Sequence, residues 1–236
     1  MTQIATSENH PTRFQREGLD LVNNLVPLSS SGFYLVNADM QHRGVVLRNI
    51  EPAAERSYLR NFQALDPLNP ALFTGTDTRV ACIDEQLSES ELLASAYYRE
   101  FMQPMHHRHV ADMFFRRGDD IIAVLTMLRT SALGAFTDSE LALLRKLQPF
   151  LEFALNTVYL PRRYRERDSV QQLYGLTDRE LDVVELIVAG ASNKLIASDL
   201  NLSLATVKTH LQHVFQKVGV SSRTAVSAIV LGALES

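Results

Sequence analysis

Residues 192–219 read SNKLIASDLNLSLATVKTHLQHVFQKVG, and this stretch decides the fold of the C-terminal part of the chain. Ser192 opens a short helical segment to Leu200, Asn201-Leu202-Ser203 makes a tight turn, and Ser203 opens a second helix over 204–218. Serine suits a helix start because its hydroxyl accepts one of the unpaired backbone N–H groups of the first turn. Gly219 suits the end because it adopts left-handed backbone freely. At 100° per residue, Val207, Leu211, Val214, Phe215 and Val218 share one side of the second helix. Ala205, Lys208, Thr209, Gln212 and Gln216 share the other, flanked by Thr206, His213 and Lys217.

The same punctuation continues on both sides. Upstream, Thr177 and Glu180 have the spacing of a capping box, Leu181, Val184, Ile187 and Val188 recur on one helical face, and Gly190 closes that helix. Downstream a last helix starts at Ser221. Two short helices joined by a tight turn, the second with a polar outer face, form the device that places side chains in a DNA major groove. A single amphipathic helix with a solvated face would look similar; the run of four capped helices favours DNA. Lys208, Thr209 and Gln212 are the expected base contacts, since Gln pairs with adenine and Lys donates to guanine, each worth about 1–3 kcal/mol of discrimination. Lys194, Thr206, His213, Lys217 and Arg223 are the expected phosphate contacts. The last helix, with Ala225, Val226, Ala228, Ile229, Val230, Leu231, Ala233 and Leu234, is apolar nearly all round. Its surplus apolar surface calls for a partner, either a second copy, through Val226, Ile229 and Val230, or the N-terminal domain. A symmetric dimer would read two half-sites about one helical turn apart.

LTDREL at 176–181, GASNKLIA at 190–197, TVKTHLQHVFQKVGV at 206–220 and SSRTAV at 221–226 carry a resemblance. The stretch from Leu176 to Leu234 resembles the LuxR-type helix-turn-helix domain of bacterial transcription regulators. The resemblance implies an all-α four-helix module whose third helix enters the major groove and whose fourth helps to pair two copies. It also implies that Lys208 and the positions of Thr209 and Gln212 face the bases.

A net charge of −4 offers DNA no global attraction, so affinity must come from a local patch. The concentrated basic cluster is Arg162, Arg163, Arg165 and Arg167, in a stretch (161–172) that reads as a basic linker, solvated or touching phosphates. One cysteine leaves no internal disulfide framework, and Cys82, between Ala81 and Ile83, reads as a buried strand residue. With no signal peptide or membrane-length apolar run, a cytoplasmic protein without membrane partners is expected.

Residues 1–160 mix helix and strand. An amphipathic stretch over 12–26 precedes strands at 32–36 and 44–48, a helix over 52–65 and an irregular turn at Asp66-Pro67-Leu68-Asn69-Pro70. A strand at 79–83 and a helix from Ser88 towards Phe101 follow. Strands 110–116 and 121–129 around Arg117-Gly118-Asp119-Asp120 form a hairpin. A long helix then runs from Thr137 to about Tyr159, kinked or divided by Pro149. The expected class is α+β, an antiparallel sheet with helices forming a sensory and dimerisation domain. It looks like the GAF and PAS kind, and the LuxR-type autoinducer domain is similar in shape. YLRNFQALDP at 58–67 is similar to the autoinducer domain's aromatic-rich helix ending in Asp-Pro, which implies that Asp66 binds a ligand amide. The absence of tryptophan departs from that family's pocket and argues against an acyl-homoserine lactone. Asp66-Pro67 reads equally as a helix stop.

Tyr58, Phe62, Asp66, Tyr97 and Phe101, with Tyr98 and Met102, either line a pocket or are plain core. His106, His107 and His109 lack the companion ligands of a tetrahedral site, so no metal is expected and the side chains are expected to be solvent-exposed or pH-sensitive at most; no cofactor is expected either. No receiver-type acidic cluster, phosphate loop or catalytic constellation stands out, so no catalytic residue is named. In the long helix Leu141, Leu144, Leu147, Leu151, Leu155 and Val158 form one stripe, widened by Leu143, Phe150 and Ala154; Leu144 and Leu151 are expected at a dimer seam. The expected whole is a dimeric regulator in which residues 173–236 bind double-stranded promoter DNA and residues 1–160 sense a small molecule. RNA polymerase is a further partner such a regulator admits. The alternatives are an N-terminal domain that only dimerises or docks a protein, and an enzyme tethered to DNA.

Overall fold

The computed structural model describes residues 13–37, 40–188, 190–200 and 202–235, the side chains at 161–166, 199, 234 and 235 excepted. Asn201 of the expected turn, the guanidinium groups of Arg162, Arg163 and Arg165, and the Leu234 side chain therefore lie outside the described residues. Contacts divide the chain into one unit spanning Thr12–Thr157 and another holding Val158–Ser236.

The N-terminal unit is built on strands β1 (Ser30–Val36), β2 (His42–Arg48), β3 (Val80–Cys82), β4 (His109–Arg117) and β5 (Asp120–Arg129). They form one antiparallel sheet in the order β2-β1-β5-β4-β3. The β4–β5 hairpin closes as expected, Arg117 opposite Asp120, with Gly118 at φ +61° supplying the turn. Alternation along the strands sends Phe33, Ala111, Met113, Phe115, Leu125 and Met127 to one face, all buried. Two helices cover it, α1 (Arg13–Leu25) through Leu19 and Val22, and α5 (Asp138–Ala154) through Leu141, Leu144 and Leu151. Amide side chains pin both to the strands: Gln15 donates to the Phe33 carbonyl at 3.1 Å and Gln148 to that of Phe114 at 2.7 Å. Leu144 and Leu151, expected at a dimer seam, are thus sheet-facing core.

The other face is covered by short pieces: α2 (Pro52–Ser57), α3 (Ile83–Gln86), α4 (Glu89–Ala94) and the π-helical turns Tyr58–Phe62 and Tyr97–Met102. Each of the two expected long helices, 52–65 and 88–101, therefore changes winding partway. At the second, Ser95 is extended; its hydroxyl donates to the Leu92 carbonyl at 2.7 Å and accepts the Tyr98 N–H at 3.1 Å, giving the backbone a local alternative to the helix. The wide turns that result present the aromatic residues to the sheet. Cys82 is buried in β3, and burial pushes its thiol up to about 11.

The helix α5 runs undivided through Pro149, and the winding widens only at Leu155–Tyr159. In the C-terminal unit the stretch expected as a basic linker is helix α6 (Leu160–Tyr174), ended by Gly175 at φ +61°. Val170 of α6 is buried with the helices that follow: α7 (Asp178–Val188), α8 (Asn193–Asp199), α9 (Leu204–Val218) and α10 (Arg223–Glu235). Arg167 faces Asp182 at 3.1 Å and Glu185 at 2.7 Å, so it braces α6 to α7 and is not solvated. Val226 and Val230 of α10 close the core of this unit rather than facing a partner; Ile229 stays 37 % exposed. No helix of the described residues is long and apolar enough to cross a membrane.

Candidate functional site

The helix α9 owes its position to both ends. Ser203 caps it, its hydroxyl accepting the Thr206 N–H at 3.0 Å, and Gly219 at φ +76° ends it. Val207, Leu211, Val214 and Val218 seal its inner side against α7, α8 and α10. Ala205, Lys208, Thr209, Gln212 and Gln216 are all exposed on the outer side. Thr209 turns its hydroxyl to the Ala205 carbonyl at 3.1 Å. Among the described residues, Lys208 and Gln212 have no protein partner for their side chains. Two long polar side chains are thus held out by a rigid scaffold with their hydrogen-bonding capacity unspent.

The five expected phosphate holders are distributed differently. Lys194 is exposed, and His213 is half-exposed, its ring 3.7 Å from Glu180. Thr206 shares its hydroxyl with Ser203 at 2.8 Å. Lys217 and Arg223 have structural work instead. Lys217 donates to the Glu180 carboxylate at 2.7 Å and to the Gly175 carbonyl at 2.9 Å, tying the end of α9 to the start of α7. Arg223 donates to the Ala191 carbonyl and lies 3.5 Å from Asn193, fixing α10 against α8. Glu180 is the hub of this arrangement. It is buried, completes the expected capping box with Thr177, and stays below the usual carboxylate range because Lys217 and Thr177 outweigh its burial.

The second constellation lies on the face of the sheet under the π turns. Asp66 is buried; it accepts the Tyr58 hydroxyl at 2.8 Å and the Leu68 N–H at 2.8 Å, and Tyr97 also hydrogen-bonds it. Asp66 therefore both stops the helix and holds two tyrosines. Phe101 packs among Tyr58, Tyr97 and Phe62 at 5.6, 5.6 and 4.9 Å between ring centroids. All five residues expected from the sequence meet in one cluster. The structure adds Tyr34, His42, Glu55, Asp112 and Thr126. His42 stacks on Tyr34 at 3.6 Å and lies 5.6 Å from Tyr58, and its Nδ1 is held by Glu55. Asp112 is only 3 % exposed, with Thr126 as its hydrogen-bond partner. Burial, followed by the Asp66 charge, pushes its carboxyl well above the usual range. Burial likewise raises Asp66, against the pull of Leu68 and the tyrosines. One signal for Asp112 was present in the sequence: a lone acid inside the apolar strand VADMFF, where charge is almost never buried without a partner. His42 and Glu55 carried no local signal.

The three neighbouring histidines separate. His106 is exposed at φ +60°, His107 is buried with Nε2 3.1 Å from the Ser30 hydroxyl, and His109 meets Asp84 at 2.8 Å. The expectation that they are solvent-exposed holds only for His106. No group of three or more His, Cys, Asp or Glu able to hold a metal ion occurs among the described residues.

Residues 175–230 match the family model "Bacterial regulatory proteins, luxR family". The chain is similar to the monoamine regulon transcriptional regulator of Klebsiella aerogenes, 35% identical over 206 residues that cover 87% of this chain and 85% of that protein. It is also similar to the nitrate/nitrite response regulator protein NarP of Escherichia coli, 48% identical over 56 residues, 24% of this chain and 26% of the relative. The latter match is confined to a short segment. Among solved structures, the VqsR LBD domain from Pseudomonas aeruginosa superposes with a TM-score of 0.50 at 13% identity, covering 62% of this chain and 85% of that one. That likeness concerns the fold alone.

Proposed function

The chain belongs to the luxR family of bacterial regulatory proteins and is a DNA-binding regulator of transcription; from that premise we propose that it reads a two-fold symmetric site as a homodimer, under control of a small molecule bound in its N-terminal unit. Residues 173–236 are the reader, with α6 as its brace, and residues up to about 160 are the sensor. Lys208, Thr209 and Gln212 contact bases. Lys194, His213 and Thr206 lie beside them for phosphates, while Lys217 and Arg223 position the helices. The observation that carries this is the outer face of α9, where Lys208 and Gln212 stand exposed on a helix whose inner side is sealed. The test is selection from a random DNA library at near-physiological salt, with the full chain and with residues 158–236 in parallel. Enrichment of a two-fold symmetric site by the full chain supports a dimeric reader. Enrichment by the short form alone means that the N-terminal unit restrains it. Failure of both overturns the assignment of α9.

For dimerisation, α5 carries a better surface than the expected Leu144 and Leu151. Leu143, Phe150 and Phe153 lie on its outward side, the two phenylalanines 76 % and 68 % exposed. Aromatic rings left in water on a helix are characteristic of a face that meets a partner. Together with Ile229 they are the proposed contacts between copies. Substituting Phe150 with Asp should give a chain that sediments as a monomer where the parent is a dimer, with affinity for a two-fold site reduced about tenfold or more. An unchanged mass would remove α5 from the interface.

A further inference from the structure

Strand pairing sets Asp112 in a row across the middle of the sheet, beside Ala81 of β3, Thr126 of β5 and then Gly32 of β1. The row has small neighbours, and Thr126 and Leu128 on this side of β5 are not fully buried, whereas Leu125 and Met127 on the other side are. The aromatic side chains of Tyr34, Tyr58, Tyr97 and Phe101 belong to the same face.

Two polar atoms in this region are buried without a partner, Asp112 Oδ1 and His42 Nε2. The His42 side chain is 1 % exposed, and its ring is fixed by stacking on Tyr34 and by Glu55 at Nδ1. The carboxylate oxygen Asp112 Oδ1 therefore calls for a donor. Asp66 adds a second buried carboxylate, and neither Asp66 nor Asp112 forms an ion pair with Lys or Arg among the described residues. A buried acid without a cation is unfavourable, and burial accordingly raises both carboxyls. One class of ligand meets every requirement at once: an ammonium group offers three donors, no acceptor and a positive charge, and it is attracted to aromatic faces.

We propose that the effector is a small organic cation, a protonated primary amine on a short flat apolar body, with its ammonium directed at Asp112 and its body among Tyr34, Tyr58, Tyr97 and Phe101. This rests on the assignment of the N-terminal unit as a sensor. An anionic ligand would bring negative charge beside two buried carboxyls whose ionisation burial already disfavours. A neutral carbonyl ligand would bring no donor to Asp112 Oδ1.

The test titrates the full chain calorimetrically with three probes on one body: 2-phenylethylamine, 2-phenylethanol and phenylacetate. The amine should bind at least tenfold more tightly than the other two. Asp112→Asn should lower amine affinity at least tenfold while retaining the thermal unfolding midpoint and weak binding of the alcohol. Equal or tighter binding of the alcohol or phenylacetate, or undiminished amine binding by Asp112→Asn, overturns the cation while leaving the sensor standing. If no probe binds, the cation falls, and the sensor is judged separately with a neutral and cationic fragment set. Fragments that shift unfolding of the parent but not of Thr126→Trp, which fills the row, would retain the sensor; none doing so would remove it as well.

Discussion

Replacing Arg129 by methionine is expected to lower the stability of the N-terminal unit by about 3–5 kcal/mol, the usual cost of breaking a buried charge pair from one side. Arg129 is among the largest fully buried side chains. Its guanidinium makes a two-pronged pair with Glu140, at 2.7 and 3.2 Å, and also donates to the carbonyls of Pro27 at 2.8 Å and Ala135 at 3.1 Å. Its Cζ lies 4.0 Å from the centre of the Phe136 ring. It thus joins the end of β5 to the start of α5 and to the chain between α1 and β1. Methionine retains length and apolar packing but leaves Glu140 and two carbonyls without their donor. The same pair has a pH signature. The Arg129 hydrogen bonds, aided by Thr137, hold the Glu140 carboxyl down from the ordinary 4.5 to about 2. A depressed carboxyl contributes stability that is complete above its unfolded value and is lost as pH falls through its folded one. The parent should therefore lose stability between about pH 4.5 and 2. Urea unfolding at neutral pH and at pH 3 measures both effects. In Arg129→Met the share of acid sensitivity due to Glu140 should be much reduced. A variant within 1 kcal/mol of the parent at neutral pH would show that the pair is energetically idle.

The second large effect is on DNA. Lys208→Ala combined with Gln212→Ala should lower affinity for the selected site about 100-fold or more, since each base contact is worth about 1–3 kcal/mol and a dimer loses each one twice. Affinity for random DNA, which depends on phosphates, should fall far less. Stability should stay within about 0.5 kcal/mol, because both side chains are exposed and neither has a protein partner to lose. Competitive binding of selected and random duplexes at fixed salt measures the ratio. Preserved discrimination by the double variant would mean that bases are read from another face. By contrast, Lys217→Ala should act first on stability, through the loss of its contact with buried Glu180.

Local chemistry explains why the four C-terminal helices were legible. Ser192, Ser203, Gly190 and Gly219 act on backbone groups within one turn of themselves, so their meaning needs no distant partner. The hairpin at Gly118 and the capping boxes at Thr137 and Thr177 are equally local. The outer face of α9 was visible too, because the helix period alone separates Lys208 and Gln212 from Val207 and Leu211. Only the tertiary structure decided which apolar positions were core and which were surplus. On α5 the sequence offers a wide apolar stripe and on α10 apolar residues nearly all round, and the sheet and the neighbouring helices selected Leu144, Leu151, Val226 and Val230 for the interior. That left Phe150, Phe153 and Ile229 outside. The use of Lys217 and Arg223 as braces, the approach of Asp112 to Asp66 and the pairing of His42 with Glu55 have the same origin. Each depends on groups far apart in the chain, and periodicity records only where a side chain points, not what it meets.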